Sequence, residues 1–240
     1  MFDVNPEDVF DAVDRLLTGL IERAGVRQPP VDALAIAEEH LGIPVEMVEA
    51  ETDERGRPKR ATRRQGAGIT LTEDMTEEQQ HAAAANGIAR ALLPEVLRKL
   101  DIPHGSESKS AAGHLRGLVV PRLLVPTKLL RGELRSCGFD VLALQRRFHT
   151  ASIELVAQRL LDLDDPCAIT IADDGIVAFR RANRFPVNRK LLPLEQECLD
   201  RVMKFDRPER LRGEAWTVNG WPVRDRPFRR VVLRSVPDDV

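Results

Sequence analysis

The chain has 240 residues, 42% of them hydrophobic and 31% charged, with a formal net charge of −2. That length and balance describe a soluble chain able to bury one large core or two modest ones, and they exclude a global electrostatic pull toward nucleic acid or an anionic membrane. Tyrosine is absent, so no tyrosyl acid, base or nucleophile is available, and three cysteines without CxxC spacing disfavour a disulfide framework or a cysteine zinc site and fit a reducing cytoplasm.

The acidic start MFDVNPEDVF lacks the basic region and apolar run of a secretory signal, and no stretch approaches the roughly 18 apolar residues of a membrane span. Cytoplasmic localisation is the expectation. Asn5, Pro6 and Glu7 read as an N-cap, a proline at the first helical position and an acidic first turn. Val9, Val13, Leu16, Leu17 and Leu20 form the buried stripe of this helix, with Gly25 as its stop. A second helix is expected from about Val31 to Leu41, closed by Gly42, with His40 complementing its C-terminus; a short strand through Val45 and Val48 follows.

Thr52 to Arg64 carries six cations among glycine and proline. It reads as a solvated loop or hairpin tip, because no aromatic side chains interleave the charges for base stacking. Gly66-Ala67-Gly68 has no following helix at phosphate-cradling spacing, so it is no nucleotide fingerprint. A strand over Ile69–Leu71 leads into the stretch Thr76–Leu93, where Thr76 and Gln79 spell a capping box and Ala85, Ile88, Ala89 and Leu92 recur at helical spacing. This is the expected central helix, ended or kinked by Pro94.

After a polar connection up to Ser110, which holds His104, HLRGLVVPRLLVP reads as a helix with Leu115, Leu118, Val119 and Leu123 inward and a kink at Pro121. Another helix starts near Thr127 and closes at Gly138. FDVLALQRRFHTASIELVAQRLLDL outlines a helix-turn-helix. Asp140 caps the first helix, with Val141, Leu142, Leu144 and Phe148 inward. Ser152 caps the second, with Ile153, Val156, Leu160 and Leu163 inward and Glu154, Gln158, Arg159 and Asp162 expected to be exposed. A hairpin turning at Asp174-Gly175 follows, then a helix in LLPLEQECLDRVMKF, then a second hairpin expected to turn at Asn219-Gly220 with Trp216 and Trp221 paired across it. Arg224, Arg226, Arg229, Arg230 and Arg234 make the end basic, as an exposed strand face that discourages edge pairing.

The order of these pieces resembles the ImmA/IrrE family of metallopeptidase-like proteins: a helix ending in LGIPV, a strand before a capped helix, a helix ending in LLVP, and then FDVLALQRRFHTASIELVAQRL. The resemblance spans roughly Val31 to Leu163. It implies a zincin-like domain whose capped helix carries His-Glu-x-x-His, two zinc ligands four apart with a glutamate base beside the first. Here one register puts Ala85, Asn86 and Ala89 at those positions, and the next puts Asn86, Gly87 and Arg90 there. The family's third ligand, counted back from Pro126, falls on Gly113. Alanine and glycine have no donor, neutral asparagine is a poor zinc ligand, and arginine stays protonated. His81, His104 and His114 are the remaining imidazoles in this region, and no two of them have i, i+4 spacing.

No other catalytic arrangement stands out. Ser152 is most simply a cap, no Gly-x-Ser-x-Gly elbow occurs, Cys137 lacks an activating neighbourhood, and Glu38-Glu39 or Asp164-Asp165 are ordinary solvated carboxylates.

The expected fold is therefore α+β and mostly helical. A zincin-like domain over residues 1–135 with a central capped helix precedes a helix-turn-helix-like region with C-terminal β-hairpins over 136–240. The expected function is a catalytically inactive, peptidase-like regulatory module without cofactor, whose partner is a protein such as a regulator or toxin-antitoxin component. The metal site is empty of ligands, with His81 and His114 the weak candidates. The alternatives are a DNA-binding regulator with a winged-helix-like unit and an active metallopeptidase with substituted ligands.

Overall fold

The structure, a computed structural model, describes residues 6–49, 68–100, 108–224 and 227–238, without the side chains of residues 6–8, 108–112 and 115. The chain forms two compact units, Met1–Ser136 with Arg147–Ala151 and Cys137–Arg146 with Ser152–Val240. It is an α+β protein whose larger sheet is antiparallel. Among the described residues no helix is long and apolar enough to cross a membrane.

The first unit begins with α1 (Pro6–Arg23), which buries Val13, Leu16, Leu17 and Leu20 as the helical spacing requires and ends before Gly25 at a φ of +69°. The expected helix over 31–41 is not one regular helix. A three-residue α2 (Ala33–Ala35) opens into a π-helical turn, Ile36–His40, with His40 at its exposed end, and Gly42 closes it at a φ of +62°. Strands β1 (Val45–Val48) and β2 (Ile69–Thr72) pair in parallel, Val45 opposite Ile69 and Val48 opposite Thr72. The cationic stretch Thr52–Arg64, expected as a loop or hairpin tip, lies outside the described residues.

Helix α3 (Glu77–Lys99) is longer than the sequence suggests, because it runs through Pro94. Proline removes one hydrogen bond there, yet Leu92, Val96 and Leu97 on either side of it are buried. Packing holds the last turns on. Helix α4 (Ser108–Leu124) likewise contains Pro121 and starts inside the expected polar connection, and α5 (Thr127–Cys137) stops at Gly138, whose φ is +58°.

In the second unit α6 (Val141–Arg147) is capped by Asp140, whose Oδ1 accepts the N–H groups of Leu142 and Ala143; the helix hands its last residue to the first unit. Ser152 caps α7 (Ile153–Arg159) by accepting from Leu155 N–H at 3.3 Å. Strands β3 (Ala168–Asp173) and β4 (Ile176–Ala182) form the expected hairpin, with Asp174 and Gly175 at φ of 47° and 83° in the turn. After α8 (Pro193–Phe205) come β5 (Glu209–Arg212), β6 (Trp216–Val223) and β7 (Arg230–Pro237), giving the strand order β4-β3-β7-β6-β5. Cys198, Leu199 and Val202 of α8 pack with Ala172, Val218, Val231 and Leu233 on one sheet face. Strand alternation sends Ile169, Ile171 and Val232 to the other face, where α7 meets β3 and β7.

Expectations for the C-terminal strands fail in this unit. Asn219 and Gly220 make no turn; they lie within β6, opposite Arg234 and Leu233. Gly220 is small for a different reason: a Cβ there would come within 2.8 Å of Val202 Cγ2 and 2.9 Å of Leu233 Cδ2, so it is the place where α8 meets the sheet. Trp216 and Trp221 consequently share one strand and, five positions apart, point to opposite faces; Trp216 stacks edge-on against Phe185 at 5.3 Å. Nor is the basic end a uniformly exposed face. Arg234 is buried with its guanidinium 3.8 Å over the Phe139 ring, and Arg230 is held by Asp173 and Glu154.

Candidate functional site

Of the site residues singled out by sequence, His81, Ala85, Asn86, Ala89 and Arg90 lie on α3. Its start is built as the sequence spells it: Thr76 Oγ1 accepts from Gln79 N–H and Gln79 Oε1 accepts from Thr76 N–H at 2.9 Å. From there the helix presents two faces. Ala84, Ala85, Ile88, Ala89 and Leu92 are buried, whereas Asn86 and Arg90, one turn apart, are exposed. Of the two registers, only the second, Asn86-Gly87-x-x-Arg90, puts both ligand positions on an accessible face; Ala85 and Ala89 are core.

Gly87 falls at the position that the resemblance gives to the general base in that register, and it is the most closely packed of the described glycines. A Cβ there would lie 2.4 Å from Ile69 Cγ1 and 2.7 Å from its Cδ1. Real Cβ atoms do not approach so closely, so the Ile69 side chain of β2 rests directly on the helix at Gly87 and would have to move to admit a carboxylate side chain there. Asn86 is turned back on its own helix, its Nδ2 donating to Ala82 C=O at 2.8 Å.

The histidines do not rebuild the site. His81 is buried, not partly exposed as its place near the helix start suggests. Its Nδ1 accepts the backbone N–H of Ala33 at 3.2 Å. Asp32 serves the next two donors of α2, accepting from Leu34 and Ala35 at 3.0 and 2.9 Å. Three N–H groups that a helix start leaves without intrahelical partners are thus satisfied by two side chains. Accepting at Nδ1 commits that lone pair and leaves the proton on Nε2. Burial pushes the His81 pKa down, with the charges of Asp32 and Glu77 working against the shift and His149 adding to it. Gly113 and His114 lie exposed on α4, and His104 falls outside the described residues. The zinc that the family resemblance implies does not fit the groups present: the accessible pair is an amide and a guanidinium, the third position is glycine, and His81 is engaged elsewhere. Among the described residues no three His, Cys, Asp or Glu side chains cluster as a metal site.

The helix-turn-helix outline is present as two helices, and of the four side chains expected on the exposed face of the second, Asp162 is exposed, Gln158 is half-buried and two are buried. Glu154 and Arg159, expected on the exposed face of α7, are buried. Arg159 pairs with Asp162, and Glu154 Oε1 accepts from Arg230 at 2.6 Å. A groove-reading helix needs free donors on an open face, and these two charges serve the second unit's interior.

Sequence reasoning missed a buried polar cluster in the second unit. Arg180 donates to both carboxylate oxygens of the fully buried Glu195 at 2.9 and 2.8 Å, to Thr170 Oγ1 at 2.5 Å and to Asn188 C=O at 2.8 Å. Glu195 also accepts from Ser235 Oγ at 2.6 Å and from Leu192 N–H at 2.7 Å. One signal existed, since Glu195 stands two residues after the Pro193 that opens α8, where a glutamate reaches back to the helix start. The three cysteines form no disulfide. Burial raises the thiol pKa of Cys167, against the pull of Arg234, and takes that of Cys198 to about 12, so both are poor nucleophiles.

No protein-family description and no curated protein matches the chain. Among solved structures it is similar to a Mycobacterium tuberculosis transcriptional regulator, with a TM-score of 0.62 at 15% identity, over 96% of this chain and 80% of that one. At that identity the likeness is one of fold.

Proposed function

We propose that the chain is a regulatory protein that keeps an ImmA/IrrE-like, zincin-like fold in residues 1–135 without zinc binding or proteolysis. In this reading it acts by binding another protein, a regulator or toxin-antitoxin component by family analogy, on the α3 face that carries Asn86 and Arg90. The observation that carries the loss of chemistry is the contact between Gly87 and Ile69: the Ile69 side chain occupies the space a side chain at the base position would need, so more than a ligand has been exchanged. The fold likeness to a protein named a transcriptional regulator supports the regulatory class. Metal analysis of the purified protein, with a casein or repressor cleavage assay, tests the reading. No stoichiometric zinc and no chelator-sensitive cleavage are expected; finding both would establish an active peptidase with substituted ligands instead.

A second reading, a DNA-binding regulator using residues 140–181, is favoured by the neighbour's name and opposed by the burial of Glu154 and Arg159 on α7. Mobility shifts on duplex DNA at rising salt separate the two, because phosphate contacts give a steep salt slope that a protein-binding surface does not.

A further inference from the structure

The larger sheet of the second unit ends on β4, and that edge is open. Among the described residues the backbone of Ile176–Ala182 bonds only to β3, so the outward N–H and C=O groups of β4 have no partner. The opposite edge, β5, is four residues long and carries charge at Glu209, Arg210 and Arg212. β4 begins instead with four uncharged residues, Ile176-Val177-Ala178-Phe179, and Ile176 is 74% exposed, the most exposed of the large hydrophobic side chains described. An open edge with apolar side chains is a template for a further strand. Cross-strand partners share a face. Ile176, Phe179 and Arg181 stand opposite Asp173, Ile171 and Ile169, so all three lie on the face away from α8, with Ala178 the extra residue of a bulge. A strand added to β4 would set its side chains beside two apolar groups and then a cation.

Charge selects among the occupants of this edge. From Gly175 to Leu194 the chain holds five cations, Arg180, Arg181, Arg184, Arg189 and Lys190, and no acidic residue. Glu195 neutralises Arg180, and Asp164 pairs with Arg184 at 2.7 Å. Arg181, Arg189 and Lys190 are exposed, and their side chains make no hydrogen bond or ion pair. Arg180 Nε donates to Asn188 C=O at 2.8 Å, which keeps Arg189 and Lys190 near the second half of the strand. Two copies of this edge would bring two cationic stretches together, and a nucleic acid would leave the ladder groups and Ile176 unused. Edge cations that deter self-pairing favour a strand of opposite charge.

We propose that β4 is a docking edge for an acidic segment of a partner protein, which adds as a sixth strand with apolar side chains beside Ile176 and Phe179 and carboxylates beside Arg181 and the Arg189-Lys190 pair. The proposal does not rest on the α3 face. Titration calorimetry of the full chain with the peptide Thr-Val-Thr-Val-Thr-Glu-Thr-Glu and with its reverse covers both strand directions. Saturable binding of one of the two is expected, with hydrogen exchange slowed within residues 176–182 and unchanged within 209–212. Replacing both glutamates by lysine should weaken binding at least about tenfold. N-methylation of alternate residues of the peptide, in one of its two phases, should do the same, since it removes ladder donors and keeps every side chain. Arg181→Glu should lose most of the preference for the glutamate peptide while the circular dichroism is unchanged, and Asn86→Ala/Arg90→Ala should bind the peptide as wild type does. Absence of saturable binding by both peptides, equal binding of the lysine peptide, or unslowed exchange within 176–182 would each overturn the proposal. So would equal slowing there by duplex DNA, or slowing that grows with protein concentration without peptide, in favour of nucleic acid and of a second copy respectively.

Discussion

His81 Nδ1 accepts the backbone N–H of Ala33 at 3.2 Å, joining two helices 48 residues apart in the chain. The bond requires a neutral imidazole. The unfolded chain protonates His81 near its ordinary 6.5, while the folded chain resists until a lower pH. Between those values the unfolded state binds more protons, so stability falls as pH drops through the window below 6.5 and is level in this respect above it. His81→Ala should flatten that part of the pH profile and cost about 1–3 kcal/mol at neutral pH, by leaving a buried N–H without an acceptor. Urea unfolding of wild type and variant from pH 5 to 8 checks this; a parallel pH dependence in both would refute it.

Gly87→Ala should destabilise the protein by about 1–3 kcal/mol through overpacking, outweighing the roughly 1 kcal/mol of helix propensity it gains. The clash partner is Ile69, so Gly87→Ala combined with Ile69→Ala should recover part of the loss. A double-mutant cycle by denaturant unfolding measures the coupling, and a Gly87→Ala variant more stable than wild type would remove the steric argument.

Replacing Asn86 and Arg90 together by histidine places two imidazoles at i, i+4 on an accessible helix face. Weak zinc binding should appear in calorimetric titration, because two ligands of a site are supplied. Casein cleavage should stay absent, since the Ile69 side chain occupies the space a base at position 87 would need. Chelator-sensitive cleavage by this variant would show that the closed position does not matter.

Breaking the buried Arg180–Glu195 pair in the second unit should be costly. Arg180→Met leaves a fully buried carboxylate with its ion-pair partner gone, a loss of about 3–5 kcal/mol. The Arg180→Met/Glu195→Met double variant should be less destabilised than the sum of its singles. Thermal unfolding of the set decides it, and strict additivity would contradict the pairing.

Thiol titration with an aromatic disulfide at pH 8 should label Cys137, the partly exposed cysteine, well before Cys167 and Cys198. Burial keeps those two protonated, Cys198 with a pKa of about 12. All three should react at one rate in denaturant. Fast labelling of Cys198 in the native protein would mean that the packing of α8 on the sheet opens readily.

Features that depend on neighbours in sequence were legible. The Thr76–Gln79 capping box, the caps at Asp140 and Ser152 and the Asp174-Gly175 turn all form as spelled, because each involves groups within a few residues of one another. The buried stripe Ala85, Ile88, Ala89 and Leu92 follows from helical period alone. Misreadings fell where a residue's role is set by a distant element. Asn219-Gly220 reads as a turn until α8 is placed over it, and Pro94 reads as an end or a kink until the last turns of α3 find a core.

Sequence by itself determined that positions 85 to 90 of α3 offer alanine, asparagine, glycine and arginine and no metal-ligand pair, because donor chemistry belongs to the residue and not to its surroundings. Only the tertiary structure decided that Asn86 and Arg90 face outward, that Ile69 packs on Gly87, that His81 holds α2, and that Glu154 and Arg159 turn inward. Those are facts of burial and contact between segments far apart in the chain, and local spacing carries no information about what will be packed against a face.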